Sequence, residues 1–245
     1  VGVGLALVAR DAFTVFYGNE NLVGIRTMEI ISVAGAVTGL GFATGDLLMA
    51  INRPGILLRD AIQRANKIIY QTARSQPHCE GMGTTVVAAL FFDDRVSIAH
   101  VGDSRIYRVR SGAIEQITLD HSLLQELVDR GFYSPEEAQR ASNKNYVTRA
   151  LGVESNVEVE IQQHPVHKGD IYLLCSDGLS DMVEDDDMAL TVSTFGANLN
   201  SVAQHLIQLA NDNGGKDNIS VVMAQVLDSF PVRHGIFDRI LKWFS

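Results

Sequence analysis

The sequence predicts an α+β fold in which β-hairpins alternate with inserted helices. Two pairs of short β-rich runs are each joined by a tight-turn signal, which is typical of hairpins. One long segment has the apolar spacing of a helix face. Two further apolar runs near the C-terminal end are typical of buried strands. This order of elements differs from the repeating β-α-β pattern of parallel sheets.

The composition is that of a globular protein with a large interior. The chain has 245 residues, of which 46% are hydrophobic, and a single domain of this length is ordinary. The net charge of −9 argues against binding to nucleic acid, which needs a basic face. Residues 30–45 form an uncharged run that is too short and too rich in glycine for a membrane span. We therefore predict no membrane association.

The first 56 residues are rich in Gly, Val, Ala and Leu. Residues 1–8 and 12–17 could be strands, and residues 30–37 could be a strand or a helix. A helix is predicted over residues 57–73. Strands are predicted over residues 84–92 and 96–101 around the turn Asp93-Asp94, and over residues 106–109 and 113–117 around Arg110-Ser111-Gly112.

A polar helical stretch follows at residues 121–130 and ends at Gly131, a plausible C-cap. Ser134-Pro135-Glu136-Glu137 has the pattern of a helix start. Strands are predicted over residues 157–165, 171–175 and 219–226, and helices over residues 201–211 and 237–244.

Two cysteines, Cys79 and Cys175, could form one disulfide. However, Cys175 lies within an apolar run, where a free cysteine behaves as a small hydrophobic residue. We expect reduced cysteines and a cytoplasmic protein, and no signal peptide is evident at the start of the sequence. Because a buried thiol is unreactive, Cys175 is not a candidate nucleophile.

Three aspartates lie at predicted strand ends, each near a glycine. Asp103 follows one strand in Gly102-Asp103-Ser104-Arg105, Asp177 follows another in Ser176-Asp177-Gly178, and Asp217 precedes the last strand in Lys216-Asp217-Asn218. Each motif alone is a common turn, in which the carboxylate caps local amides. Together they indicate clustered carboxylates, and hard cations such as Mg²⁺ or Mn²⁺ prefer such oxygen ligands.

The ordered motifs resemble those of the metal-dependent protein serine/threonine phosphatases (PPM, type 2C), and especially the compact bacterial members. The resemblance covers roughly residues 57–227. Its motifs are Gly81-Met-Gly-Thr-Thr85, Val101-Gly-Asp-Ser-Arg105, Leu174-Cys-Ser-Asp-Gly-Leu-Ser-Asp181 and Gly215-Lys-Asp-Asn-Ile219. The family implies two packed antiparallel β-sheets flanked by helices on both faces, a four-layer sandwich. It also implies one phosphatase-like domain over residues 1–245, with a flap-like insert at about 121–149 and a short C-terminal helix at about 237–244.

The resemblance implies hydrolysis of phosphoserine and phosphothreonine by a metal-bound water, with two or three Mg²⁺ or Mn²⁺ ions. Carried over by motif, Asp177 and Asp217 would be ligands of the metal pair, and Asp103 would help to hold a third metal near the flap. The expected partner is a phosphorylated protein, with the enzyme acting as a monomer that opposes a Ser/Thr kinase.

Other residues receive structural roles from the same motifs. Gly83, Thr84 and Thr85 would pack the sheet, and Asn218 would orient the Asp217 loop. Arg105 is expected to pair with local carboxylates rather than substrate, and Asp181 to cap the following turn. His78 and His121 are expected to be exposed loop residues without a role.

The N-terminal motifs of the family are not found. These motifs supply the metal-bridging aspartate and the arginine that grips the phosphate, and Gly18-Asn-Glu-Asn21 is only a faint echo of the first. Three explanations are open: a diverged segment in a normal phosphatase, a non-catalytic module that binds a phosphoprotein or kinase, or an unfamiliar arrangement that uses Asp11, Glu20 or Asp46. Mg²⁺- or Mn²⁺-dependent catalysis is the preferred hypothesis.

Overall fold

The computed structural model describes residues 53–134, 137 and 146–231. The predicted elements within residues 1–52 and the predicted helix at 237–244 lie outside these residues. By its internal contacts the chain divides into two units.

The first unit contains one long helix in its described part. Helix α1 (Pro54–Ser75) begins with Pro at its first position, where the missing N–H is not needed. A 3-10 turn (Pro77–Cys79) follows. Asn66 is buried, donates from Nδ2 to the Glu154 carbonyl (3.0 Å) and accepts from the Gly152 N–H (2.8 Å). This side chain therefore holds the 150–159 segment against α1 within the unit.

Gly83 and Thr84 pack closely against Leu151 within the same unit, in agreement with their predicted packing role. Thr84 forms an antiparallel bridge with Leu151, with N–H to carbonyl distances of 3.1 and 2.8 Å. A Cβ on Gly83 would lie 3.2 Å from the Leu151 carbonyl oxygen, so a larger residue would crowd this bridge.

The described residues of the second unit form two antiparallel sheets. Its strands are β1 (Val86–Phe92), β2 (Arg95–Val101), β3 (Arg105–Arg110), β4 (Ala113–Gln116), β5 (Glu160–Pro165), β6 (Ile171–Cys175) and β7 (Val221–Gln225). One sheet has the order β1-β2-β5 and the other has the order β4-β3-β6-β7. Both predicted hairpins are present, with Asp93, Asp94 and Ser111 at positive φ in their turns.

In its described part, the second unit contains the helices α2 (Leu123–Asp129), α3 (Asp177–Ser180), α4 (Asp185–Phe195) and α5 (Leu199–Asp212). Ser122 caps α2 by accepting from the Gln125 N–H (3.2 Å), and Gly131 follows its end with φ +75°. The predicted helix start at Ser134 is confirmed by reciprocal bonds with Glu137 at 2.8 and 3.2 Å, a capping box.

Two hydrophobic cores lie among the described residues of this unit. The first lies between the sheets and includes Ile98, Ile106 and Tyr172, with Phe91 meeting Tyr172 edge-on at 5.2 Å between ring centroids. The second lies between β3-β6 and the helices, and contains Leu173 and Leu206. Successive residues of β6 thus face opposite cores, as strand alternation requires. The predicted α+β fold with two packed antiparallel sheets is confirmed.

Candidate metal centre

The three predicted aspartates come from one edge of the four-stranded sheet. Arg105, Cys175 and Val221 lie in a single row, because Arg105 pairs with Cys175 and Cys175 pairs with Val221. Asp103 lies two residues before the start of β3, Asp177 lies two residues after the end of β6, and Asp217 lies four residues before the start of β7. Antiparallel pairing therefore brings three distant parts of the sequence to the same edge.

Two of these carboxyls show the electrostatic effect of this arrangement. The pKa of Asp103 is raised to about 6, first by burial and then by the negative charge of Asp177. The pKa of Asp177 is also raised, again first by burial, with Asp217 and Asp181 adding repulsion. Asp181, which was predicted to cap a turn, therefore acts on the same cluster; its capping role stays a prediction.

Local hydrogen bonds orient the carboxylates of Asp177 and Asp217. Asp177 Oδ1 accepts from the Gly178 N–H at 2.8 Å, and Asp217 Oδ1 accepts from the Asn218 N–H at 2.6 Å. Each aspartate thus has one oxygen bound to the next amide. The second Asn218 contact, from Nδ2 to Asp217 Oδ1 at 3.5 Å, fits the predicted orienting role of Asn218.

The loops that carry Asp177 and Asp217 are also joined directly. Ser176 Oγ donates to the Asn218 carbonyl (2.9 Å) and accepts from the Ser220 N–H (2.9 Å), while the Ser176 N–H donates to the Ser220 carbonyl (3.1 Å). A Cβ on Gly178 would lie 2.5 Å from the Asn218 oxygen, so only glycine fits this close approach. The two loops that carry Asp177 and Asp217 are therefore held together.

Arg105 is engaged locally, as predicted. Its Nε and Nη2 donate to the two oxygens of Asp120 at 2.9 and 2.7 Å, and Nη1 donates to the Tyr107 hydroxyl at 3.1 Å. A bidentate pair of this kind is strong and specific. The Arg105 guanidinium is therefore committed to Asp120 and is not free to bind a phosphate.

Cys175 and Thr85 have the structural roles predicted for them. Cys175 is buried and unpaired, and burial raises the pKa of its thiol to about 12, which excludes it as a nucleophile near neutral pH. Thr85 Oγ1 lies 2.9 Å from Ser104 Oγ, and its methyl group backs Gly102, where a Cβ would lie 2.3 Å away.

The prediction for His121 was wrong. Its side chain is only 9% exposed, and its ring stacks on that of His100 with centroids 4.5 Å apart. Sequence reasoning missed His100 and Glu160 altogether. Together with His121 they place three ligand atoms within 4.8 Å of one another. A His within a strand next to a motif aspartate was the only signal for this cluster.

By donor type the aspartates at this sheet edge suit a hard divalent cation, whereas the described residues that bring three ligand atoms within 4.8 Å of one another are His100, His121 and Glu160. Asp103, Asp177, Asp181 and Asp217 offer oxygen donors of the kind that Mg²⁺ and Mn²⁺ prefer. Their mutual repulsion is what a cation would relieve. Within the described ranges, the ion pairs of Arg105, Arg108 and Arg110 go to other carboxylates, Asp120, Glu115 and Asp170. Fold and site together define an α+β protein with an acidic cluster of oxygen donors.

Comparisons with known proteins agree with this class. The protein phosphatase 2C family matches residues 46–219, and the chain belongs to this family. It is 43% identical over 168 residues to the serine/threonine phosphatase stp of Listeria monocytogenes, covering 69% of this chain and 66% of that protein. It is 40% identical over 186 residues to the serine/threonine protein phosphatase PstP of Mycobacterium tuberculosis, covering 75% of this chain and 34% of that protein.

Among solved structures, the catalytic domain of PstP in complex with two manganese ions matches with a TM-score of 0.67 and 38% identity. The match covers 82% of this chain and 80% of that one. The predicted family is therefore confirmed. The chain spans about two thirds of the Listeria relative and about one third of the mycobacterial one.

Proposed function

We propose that this chain hydrolyses phosphoserine and phosphothreonine in proteins and that it depends on Mg²⁺ or Mn²⁺. The observation that carries the proposal is the convergence of Asp103, Asp177 and Asp217 at one sheet edge, with the pKa of two of the three carboxyls raised. Family membership, the names of the phosphatase relatives and the manganese complex of PstP support it.

In this proposal Asp177 and Asp217 hold a metal pair, and Asp103 helps to hold a third ion. Bound ions would acidify a water molecule and neutralise charge on the phosphoryl oxygens. The protein keeps the two carboxylates in register through the Ser176 bonds and leaves one oxygen of each free of its own amide. Because Cys175 is buried and protonated, no covalent phosphoenzyme through this thiol is expected.

The single-domain organisation, with a flap-like insert near 121–149, is part of the same proposal. The two ends of the insert are paired, since the Leu123 N–H donates to the Tyr146 carbonyl (2.9 Å) and the Thr148 N–H donates to the His121 carbonyl (2.8 Å). A substrate that is a phosphorylated protein, an opposing Ser/Thr kinase, a monomeric state and a cytoplasmic location complete it. No helix in the described part of the chain is long and apolar enough to cross a membrane.

The test is phosphate release from a phosphothreonine peptide with Mn²⁺ varied from zero to millimolar. We expect activity that Asp177→Ala and Asp217→Ala each lower by more than about 100-fold, since each removes a proposed metal ligand. Asp60→Ala, on the exposed face of α1, is the matched control and should keep full activity.

Activity that is equal in excess chelator would refute the proposal. Calorimetry with Mn²⁺ distinguishes a metal-dependent enzyme from a non-catalytic module that only binds a phosphoprotein. Binding of a phosphopeptide without Mn²⁺ binding or turnover would instead establish a non-catalytic phosphoprotein-binding module.

A further inference from the structure

The cluster of His100, His121 and Glu160 lies outside the carboxylate site. His121 Nε2 is 3.4 Å and His100 Nε2 is 4.0 Å from Glu160 Oε2. Two imidazoles and a carboxylate at these distances suggest a second metal site, because imidazole nitrogen and carboxylate oxygen are common zinc ligands. A metal, however, needs a nitrogen lone pair, so the positions of the ring protons decide.

Hydrogen bonds fix those protons. His100 Nε2 lies 2.8 Å from the Leu119 carbonyl oxygen, which can only accept, so this nitrogen carries a proton. His121 Nδ1 accepts from the Gly102 N–H at 3.1 Å. A neutral imidazole has one N–H, so the proton of His121 is on Nε2, facing Glu160. Both Nε2 atoms that face the carboxylate are therefore protonated. A metal bound there would have to displace the bond from His100 to the Leu119 carbonyl and the bond from Gly102 to His121, so we interpret the cluster as a hydrogen-bond chain.

The surroundings of His121 favour the neutral form of its ring. Burial lowers its pKa, and the neighbouring His100 and Arg149 lower it further, against the opposite effect of Glu160. Arg149 Nη1 lies 3.2 Å from His121 Nε2. Arg149 can only donate, so it competes with Glu160 for His121 Nε2, but the Gly102 N–H also only donates and already occupies the one acceptor nitrogen of a neutral ring.

The hydrogen-bond chain ends at Gly102, which has contacts on two sides. Its N–H donates to the His121 ring, and its carbonyl accepts from the His121 N–H at 2.9 Å. On the other side lies Thr85, which leaves no room for a Cβ on Gly102, whose φ is +111°. The peptide that precedes Asp103 is therefore clamped between Thr85 and His121.

The same His121 also meets the ends of the insert. Its carbonyl accepts from the Thr148 N–H, and Ser122 forms an antiparallel bridge with Val147. One residue thus touches the Asp103 loop through its ring and backbone, and the paired ends of the insert through its carbonyl.

We propose that His121, oriented by Glu160, is a positioning residue that fixes the Gly102–Asp103 turn for metal binding and joins it to the ends of the insert. The proposal rests on the proposed function, because Asp103 matters here as a metal ligand. His121 and Glu160, which lie outside the acidic motifs, thus receive a role. In this proposal the position of the Asp103 carboxylate depends on the hydrogen bonds from Glu160 through His121 to Gly102.

Two amide substitutions of His121 test this directly. In His121→Asn, the side-chain oxygen can take the place of Nδ1 and accept from Gly102. In His121→Gln, the amide reaches the place of Nε2 and Glu160 but not Gly102. His164→Gln is the matched control, since His164 lies on β5 and contacts the Gln162 side chain (3.0 Å) instead.

The measurements are the Mn²⁺ concentration for half-maximal activity on a phosphothreonine peptide and the exchange rate of the Gly102 amide in metal-free protein. We expect His121→Asn to stay within about threefold of the unmodified chain and His121→Gln to need about tenfold more Mn²⁺, as for other residues that orient metal ligands. Gly102 exchange should be slow in the Asn variant and fast in the Gln variant. Activity at saturating Mn²⁺ should change much less, which a general loss of structure would not allow.

Equal Mn²⁺ requirements for the Asn and Gln variants, with both folded, would overturn the proposal. Nitrogen NMR of metal-free protein gives a second decision, since a proton found on His121 Nδ1 would also overturn it. If the unmodified chain shows no Mn²⁺-dependent activity but the Gly102 exchange pattern is as expected, the proposed function fails while the clamp itself is upheld.

Discussion

Replacing Asp103 by asparagine should stabilise the metal-free protein while weakening its metal-dependent activity. Burial and the Asp177 charge raise the pKa of Asp103 from 3.8 to about 6. A carboxyl whose pKa is raised in the folded state destabilises that state once it ionises. Below about pH 4 the carboxyl is protonated whether the chain is folded or unfolded, so this destabilisation is absent. It develops as the pH rises from about 4 to about 6 and is complete above pH 6.

The magnitude follows from the size of the pKa change. A change from 3.8 to about 6 corresponds to about 3 kcal/mol at about 1.4 kcal/mol per pKa unit. Asp103 is only partly buried, so solvent screening reduces this to about 1 kcal/mol. For a chain of this length, Asp103→Asn should raise the melting temperature by about 2–4 °C at pH 8.

Thermal unfolding with excess chelator at pH 8 and pH 4.5 is the assay. Asp60→Asn, an exposed change on α1, serves as the control and should alter stability by less than about 0.5 kcal/mol. The gain from Asp103→Asn should shrink at pH 4.5, and the same variant should need more Mn²⁺ for activity. A variant no more stable than the unmodified chain at pH 8, or equally stabilised at both pH values, would refute this electrostatic reasoning.

Three further substitutions test the surroundings of the site. Gly178→Ala should lower the melting temperature and should lower activity by more than about tenfold, because the added Cβ would displace the Asn218 peptide. Normal activity would contradict the close approach of Gly178 to Asn218. Arg105→Lys loses the bidentate contact with Asp120 and should cost about 1–3 kcal/mol in urea unfolding, whereas an unchanged midpoint would show that the pair contributes little. Cys175→Ala should keep Mn²⁺-dependent kcat/KM within about twofold, and loss of turnover in a folded variant would reinstate the thiol as a catalytic group.

Most of the fold could be predicted because its signals are local. The turns Asp93-Asp94 and Ser111-Gly112 marked both hairpins, and the apolar period marked α1 to within three residues at each end. The strand predicted at 157–165 begins only at Glu160, because alternation continues into a segment that makes no ladder. Helix α4 was not predicted, since its run of acidic residues obscures a short apolar face.

The site was predictable only as far as motifs reach. Asp103, Asp177 and Asp217 could be named because each follows or precedes a recognisable strand. The His121 network could not, because it depends on the register that pairs β2 with β5 and sets His100 opposite Glu160. Nothing in the sequence near His121 signals a partner that lies far along the chain.

The direct joining of the Asp177 and Asp217 loops through Ser176 should make the segment between β6 and β7 tolerant of insertions. The chain leaves β6 at Cys175 and returns to β7 at Val221, on the neighbouring strand of the same sheet edge. Ser176 is hydrogen-bonded to Asn218 and Ser220, so the end of β6 and the start of β7 are joined directly. The length of the segment between them therefore does not set the distance between the two aspartate loops. The exposed residue Ala197, between α4 and α5, is therefore a place where extra residues or a fluorescent tag could be inserted while the acidic centre stays intact.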